Sequence, residues 1–596
     1  MDDQERLDPV ATPSAACPNG HRAYGAGTNL GAVGAAGHGG RAKGRRADGP
    51  MGRWGDGLRG SMTRQWGVRP RIAGLAAVAL AASLGLPACG GDGAGRGDGT
   101  FTAGHSEPDH LVPADTTSSY AFDVIGELFD NPMTLDVGGR AVPLAAESVT
   151  SRDQRVWTIK VRPGQRFHNG EPVTAQSFAD AWNNAAYGPN AMAANEYFSY
   201  IKGHKELNPD DGNAEPEAKT LSGVEVVGQN TLKVTLNDPF SQFPMLLTYP
   251  AYAPMPKAGL KDLKAFDDHP IGNGPYRMDG DWERNKQIKL IAFSGYTGPR
   301  RPKNKGVTWK SYASAETAYT DLRAGRIDVL QTIPSAKVPE ARRLLGDRFL
   351  TRRMGTIDYL GFPLWDRRFA SADLRRAISM AIDRQGINKA VFNGDYVPAD
   401  SLLPAIIEGH RPGACGELCT YNPAKARQLF AKAGGFGGTL ELYFSNAQPT
   451  YAQWMRIVAN SLRDVLGIKD VRFRQVPASD YFSMLRERGE KGPYRQNWEA
   501  DYPSAQNYLE NMWASADNRM GWTNRAFDAL IAKANRTADQ RQAVAYYNQA
   551  EDIAIREMPL IPLWTWAGQG GRSENVDNVT ITPYSTGLIA TDVTVK

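Results

Sequence analysis

The sequence predicts a mixed α/β protein standing behind a separate basic leader. Three observations carry this. Short apolar runs alternate at period two and stop at turn residues. Stretches of helical period carry recognisable caps. The charge balance changes character near residue 89. The chain has 596 residues, 41% apolar and 22% charged. That is ordinary globular composition, and the length suits about three domain-sized units.

Residues 1–61 are rich in Gly, Ala and Arg, show no apolar period and read as disordered. In "MTRQWGVRPRIAGLAAVALAASLGLPAC", Arg64, Arg69 and Arg71 precede a 15-residue apolar run from Ile72 to Leu86. The run is short for a membrane span and right for a signal core. It ends at "LPAC" and a Gly/Asp linker, which resembles a bacterial lipoprotein signal with Cys89 as the lipidated residue; an uncleaved anchor and a simple signal peptide are the alternatives. Met62 fits a natural start, which makes 1–61 an overextended reading. The expected divisions are thus 62–88 signal and 89–100 linker.

Residues 1–88 hold 11 of the 69 Lys+Arg and 6 of the 64 Asp+Glu, leaving 58 of each in the rest. The basic pI belongs to the leader. The remainder has no cationic excess with which to neutralise phosphates, so nucleic acid is not an expected partner. Of four Cys, Cys17 lies in the leader and Cys89 in the signal motif. Cys415 and Cys419 remain, in "CGELC". An exported chain meets an oxidising compartment, so a local disulfide is favoured over zinc, which wants four ligands where only His410 is near.

The elements follow in order. "RVWTIKVRPG" sets Trp157, Ile159 and Val161 against Val156, Thr158, Lys160 and Arg162, a half-buried strand ending in a Pro-Gly turn. "TLKVTLNDP" (231–239) repeats the pattern. "ADLRRAISMAIDR" places Leu374, Ile378, Ala381 and Ile382 on one helical face. "NPAKARQLFAKAGG" has Asn422 as N-cap, Pro423 at the first helical position and Gly434 as its stop. "AFDALIAKANRTADQRQAVAYYNQAEDIAIREMPLIPLW" reads as two helices and a buried strand. No internal repeat is present.

Catalytic patterns do not emerge. There is no G-x-S-x-G elbow, H-E-x-x-H or Walker loop. His105, His110, His168, His204, His269 and His410 lack metal-ligand spacing; His168 is read as a loop histidine at a turn. The pairs Asp210-Asp211 and Asp267-Asp268 are read as solvated loop carboxylates. No catalytic residue, cofactor or metal is expected.

"RVWTIKVRPGQRFHNGEPVTA" resembles the peptide/nickel class of solute-binding proteins of ABC importers, through Trp157, Thr158, Arg162, Gly164, Phe167, Asn169, Gly170, Pro172, Val173, Thr174 and Ala175. "PIGNGPYRM", "AYTDLRAGRIDV", "LRRAISMAIDRQGI" and "YNPAKARQLFAKAG" follow in the family's order, with Asn273 where the family usually has Ser or Thr. The resemblance implies an α/β, two-lobed periplasmic-binding-protein type II fold (cluster C), with an extra domain in one lobe and a hinge. Lobe I is expected at 101–134, 272–356 and 567–596, the extra domain at 135–271, and lobe II at 357–566.

"YRQNWEADYPSAQNYLENMW" (494–513) raises the sharpest question. Arg495 and Asp501 lie six apart among three Tyr and two Trp, and charges among aromatics are costly without partners. They could pair with each other as a structural bridge in a packed core. The resemblance implies instead that Asp501 receives the free ammonium of a peptide, that Arg495 lies along the bound backbone, and that Trp498, Tyr502 and Tyr508 wall the side-chain pockets. The family pattern lapses at Ser504-Ala505. Glu107, in the segment resembling the family's opening strand and loop, is a further ligand candidate, with a loop-surface role as the alternative. Together with the signal pattern at Cys89, the resemblance thus implies a non-enzymatic, lipid-anchored monomer on the extracytoplasmic face, capturing short peptides for an ABC permease and ATPase complex. Metal chelates, haem, oligosaccharides or signalling peptides are alternative ligands on the same fold; an extracytoplasmic hydrolase is the reading from another class.

Overall fold

The computed structural model describes residues 98–596 apart from 210, 212, 213, 516, 517, 585 and 586. The expectations for residues 1–97, Cys17 and Cys89 among them, and that for Asp210 lie outside the described residues.

The alternating run around Trp157 forms the strand Val156–Val161, with Trp157, Ile159 and Val161 buried. It pairs antiparallel with Ala146–Ser151 and Thr231–Thr235, and Val224–Gly228 completes a four-stranded sheet. The capped helix is Pro423–Lys432, where the Asn422 side chain accepts from the Lys425 amide. Leu374, Ile378, Ala381 and Ile382 are all buried along and just past the helix Ala372–Ala381. The last two predicted helices are Arg525–Asn535 and Gln540–Glu557, and the buried strand after them is Leu560–Arg572.

A large mixed sheet runs through the molecule. Its order is Val471–Val476, Leu440–Ser445, Tyr494–Glu499, Phe349–Gly361, Leu560–Arg572, Val329–Leu330, Thr100–His105, Gly306–Ser311, Gln287–Ala292, Tyr276–Met278. Two 13-residue strands, Phe349–Gly361 and Leu560–Arg572, form its spine. Their antiparallel register shifts between Arg353 and Ile357 and again between Asp358 and Tyr359. Such irregularities bend a strand and end regular pairing.

The apolar residues separate on either side of this bend. One large core draws on residues from Phe101 to Val329, on Tyr502, and on residues from Val576 to Val593. The other runs from Ile357 to Trp564. A small third core holds Ala318 to Leu345. The chain therefore passes between the two large cores along the two long strands, the two-lobed arrangement of the cluster C fold.

"PIGNGPY" is held by close backbone approach. A Cβ on Gly272 or Gly274 would fall 1.8 Å and 2.6 Å from the Leu128 backbone, so no side chain fits. Asn273 accepts from the Asp130 amide at 2.9 Å and donates to its carbonyl at 3.1 Å. A Ser or Thr has one polar atom where this two-way bond uses two. His168 completes the tie: its Nδ1 accepts from the Gly272 amide at 3.1 Å, and its edge meets Phe293. Burial pushes this imidazole down to about 4. Cys415 and Cys419 are bonded, with Cα atoms 5.6 Å apart.

Asp267 corrects one expectation. It lies in the helix Leu263–Asp268 and is buried, not solvated in a loop. It accepts from the Leu111 amide, from Arg284 at 2.8 Å and sits 3.0 Å from His110. The packing of this helix against the 107–111 loop supplied partners that local sequence does not reveal. Among the described residues, no helix is long and apolar enough to cross a membrane, and no group of three His, Cys, Asp or Glu could hold a metal ion.

Candidate functional site

The strand Tyr494–Glu499 leads from the second large core to the bend in the spine. Opposed residues of an antiparallel pair share a face. Its register, Arg495 with Leu360, Asn497 with Asp358 and Glu499 with Thr356, puts Arg495, Asn497, Glu499, Asp358 and Thr356 on one face. Trp498 points to the other, so Arg495 and Trp498 do not wall one groove together.

Arg495 and Asp501 do not pair. Arg495 is 3% exposed, and its Nη2 lies 2.8 Å from Oδ1 of Asp358, itself 1% exposed. The N–H directions do not align for a hydrogen bond, and Nε also lacks an acceptor, so this is a charge contact. The guanidinium covers the Tyr451 ring at 3.8 Å. The other oxygen of Asp358 accepts from Trp564 and Trp566 at 3.0 and 2.8 Å. Each charge here has a partner inside the core.

Asp501 is half-buried just beyond the strand. It accepts from the Tyr197 hydroxyl at 2.7 Å and from Asn507 Nδ2 at 3.1 Å. Among the described residues no cation pairs with it. Burial pushes the carboxyl up, against the pull of the Tyr197 and Asn507 bonds. Tyr197 comes from the other core's side of the molecule and stacks on Tyr249, with ring centres 4.0 Å apart. Asn507 organises the loop: its Oδ1 accepts both from Trp498 Nε1 at 3.0 Å and from the Asp501 amide at 3.2 Å.

Ser504 explains the departure at Ser504-Ala505. It caps the helix Ala505–Trp513 by accepting from the Gln506 amide, and its hydroxyl donates to Gln242 at 2.9 Å. It thus starts a helix and bonds across to the other core's side.

The remaining candidates lie elsewhere than expected. Tyr502 is buried, packs with the first large core and donates to Gln506 at 2.6 Å. Tyr508 is fully buried, its hydroxyl on the Gly355 carbonyl at the bend of the spine. In this conformation both are packing residues, not open pocket walls. Glu107 is half-buried and accepts from the Asn285 amide at 2.8 Å; its described bonds do not reach the Asp501 cluster.

Sequence reasoning missed Tyr197, Asn507 and Glu499. Tyr197 lies 304 residues from Asp501, beyond any local pattern. Asn507 had no distinct signal, since the same helix also carries Gln506, Glu510 and Asn511. Glu499 stood inside the quoted motif; strand alternation alone would have put it on the face of Arg495.

The profile of the bacterial extracellular solute-binding proteins, family 5, middle region, matches residues 140–520. The glutathione-binding protein GsiB of Escherichia coli O6:K15:H31 (strain 536 / UPEC) is 27% identical over 494 residues, 79% of this chain and 90% of that protein. The probable deoxycholate-binding periplasmic protein YgiS of Escherichia coli K12 is 26% identical over 473 residues, 77% of this chain and 86% of that one. Among solved structures, the periplasmic murein tripeptide-binding protein MppA, in its unliganded open form, superposes with a TM-score of 0.72 at 23% identity, covering 84% of this chain and 98% of MppA. The extent of the profile match decides the matter: the chain belongs to family 5 of the bacterial extracellular solute-binding proteins.

Proposed function

We propose that this protein captures short peptides by their free amino terminus at Asp501, between the two large cores, and hands them to an ABC permease and ATPase complex. The observation that carries the reading is a half-buried carboxylate with hydroxyl and amide donors but, among the described residues, no cation. A ligand ammonium supplies the missing charge. A charge-assisted hydrogen bond of this kind contributes on the order of 1.5–3 kcal/mol. Blocking the amine would leave the carboxylate unmatched, so the site rejects acetylated peptides. Asn507 holds the Asp501 loop, and Tyr197 brings a donor from the other core's side, so closing on a ligand joins both halves at one carboxylate.

Arg495 belongs to this reading only as part of the site's floor, since its charge is matched by Asp358. The signal pattern ending at Cys89 supports a lipid anchor on the extracytoplasmic face. The test is calorimetry with free and N-acetylated peptide pools on wild type and Asp501→Ala. Free peptides should bind wild type, and both acetylation and the substitution should weaken binding roughly ten- to a hundredfold, the equivalent of one such bond. Equal binding of acetylated peptides would remove Asp501 from this role.

A second reading keeps the family and changes the solute. It is favoured by the relative named for deoxycholate, a ligand without an amine. Mass spectrometry of small molecules copurifying with the native protein separates the two.

A further inference from the structure

Glu499 stands two residues before Asp501 and is the last residue of the strand Tyr494–Glu499. Its side chain makes no hydrogen bond or ion pair among the described residues. Two nearby groups lack partners as well. Thr356, directly opposite Glu499 in the register, is 2% exposed and its Oγ1 has no hydrogen-bond partner. Asn497, on the same face, is half-buried with no side-chain bond among the described residues. A buried hydroxyl without a partner, facing a carboxylate without a partner, marks a place where polar ligand atoms complete the bonding.

The charges there do not balance. Glu499 feels Asp501 as a like charge and Arg352 as an opposite one. Arg352 is shared: its charge also acts on Asp123, its Nη1 donates to the Gln331 carbonyl at 3.0 Å, and its Nε has no acceptor. One guanidinium thus serves both Asp123 and Glu499, and Asp501 adds a further negative charge beside Glu499. Tyr197 and Asn507, the donors at Asp501, are neutral.

We infer that Glu499 is a second anionic anchor beside Asp501, and that the site selects peptides whose first residue has a basic side chain. The terminal ammonium lies on Asp501, and the lysine or arginine head lies on Glu499. The inference rests on the peptide reading above and narrows its ligand class. It involves no covalent step. Lysine's flexible four-carbon stem lets its ammonium fold back beside the chain terminus.

Calorimetry with Lys-Ala-Ala and norleucine-Ala-Ala tests it. The two peptides share a free terminus and a similar stem and differ in the side-chain charge. Wild type should prefer the lysine peptide by roughly ten- to a hundredfold, the worth of one charge-assisted bond. Glu499→Gln should abolish the preference while keeping the affinity for the norleucine peptide. Asp501→Asn should weaken both peptides. Equal binding of the two by wild type, or a preference that survives Glu499→Gln, would overturn the inference and leave the Asp501 reading standing. Failure of both peptides to bind wild type would overturn the Asp501 reading and this inference with it.

Discussion

The two ends of the strand Tyr494–Glu499 carry charges in opposite circumstances. At the inner end Arg495 is sealed against Asp358 and Tyr451, and two indoles donate to Asp358. At the outer end Glu499 and Asp501 are half-buried, and among the described residues no cation pairs with either. Burial alone therefore does not mark a ligand site, since the more deeply buried pair is the one whose charges are matched. What separates the ends is whether the protein supplies the countercharge.

The largest test of that contrast is at the inner end. Arg495→Met strands Asp358 inside the core, and breaking a buried pair from one side costs about 3–5 kcal/mol. Urea unfolding should show this loss, and adding Asp358→Asn should recover much of it. Asp501→Asn should change stability by less than about 1 kcal/mol, because only a hydroxyl and an amide bond are altered. If Arg495→Met left stability intact while abolishing ligand binding, the inner pair would be part of the binding machinery and the contrast would collapse.

A pH titration comes next in size. Burial raises Glu499 and Asp501, and raises Asp123 and Glu127 to about 7 each. The folded protein keeps protons on these groups after the unfolded chain, with carboxyls near 4, has released them. For Asp123 and Glu127 the contribution to stability is therefore present at low pH and is lost as pH rises from about 4 through about 7, on the order of 3–4 kcal/mol per group. His105 and His168, driven down by burial to about 3 and about 4, act in the opposite sense. The carboxylate part is isolated by subtracting the melting profile of Asp123→Asn/Glu127→Gln from that of wild type. The difference should slope downward between pH 5 and 8. A flat difference would mean that Arg300 and Arg352 match these carboxylates as fully as Asp358 matches Arg495.

The fold was legible wherever the signal is local. Period-two alternation at Trp157 to Val161, the Asn422 cap and the apolar face from Leu374 to Ile382 need only neighbouring residues. The ordered motifs extended this to the two-lobed architecture. The site was legible in one dimension only. Arg495 and Asp501 stood out as costly charges, but their partners, Asp358 and Tyr197, come from other strands and the other core. Asp267 was misread for the same reason, since the Leu111 amide and Arg284 reach it through tertiary packing. Tyr502 and Tyr508 show the converse limit. An aromatic in a motif is recognisable, yet the side of the surface it lies on depends on backbone geometry at Gly355 and on the helix Ala505–Trp513.

The smallest effect tests the bond from the other core's side that reaches Asp501 itself. Tyr197 donates to Asp501 at 2.7 Å and pulls its carboxyl down against the push of burial. Tyr197→Phe keeps the stacking on Tyr249 and removes only that donor, so stability should change by no more than about 1 kcal/mol. Without the donor, Asp501 holds its proton to higher pH. Ammonium binding needs the ionised form, so the lower limb of the pH–affinity curve should move upward. At neutral pH the affinity for a free-amine peptide should fall by less than tenfold, the worth of about 1 kcal/mol. Calorimetry across pH 5–8 reads both effects. An affinity that rises in Tyr197→Phe would show that the hydroxyl competes with the ligand for Asp501, making the outer end self-satisfied in the ligand-free state as the inner end is by Asp358.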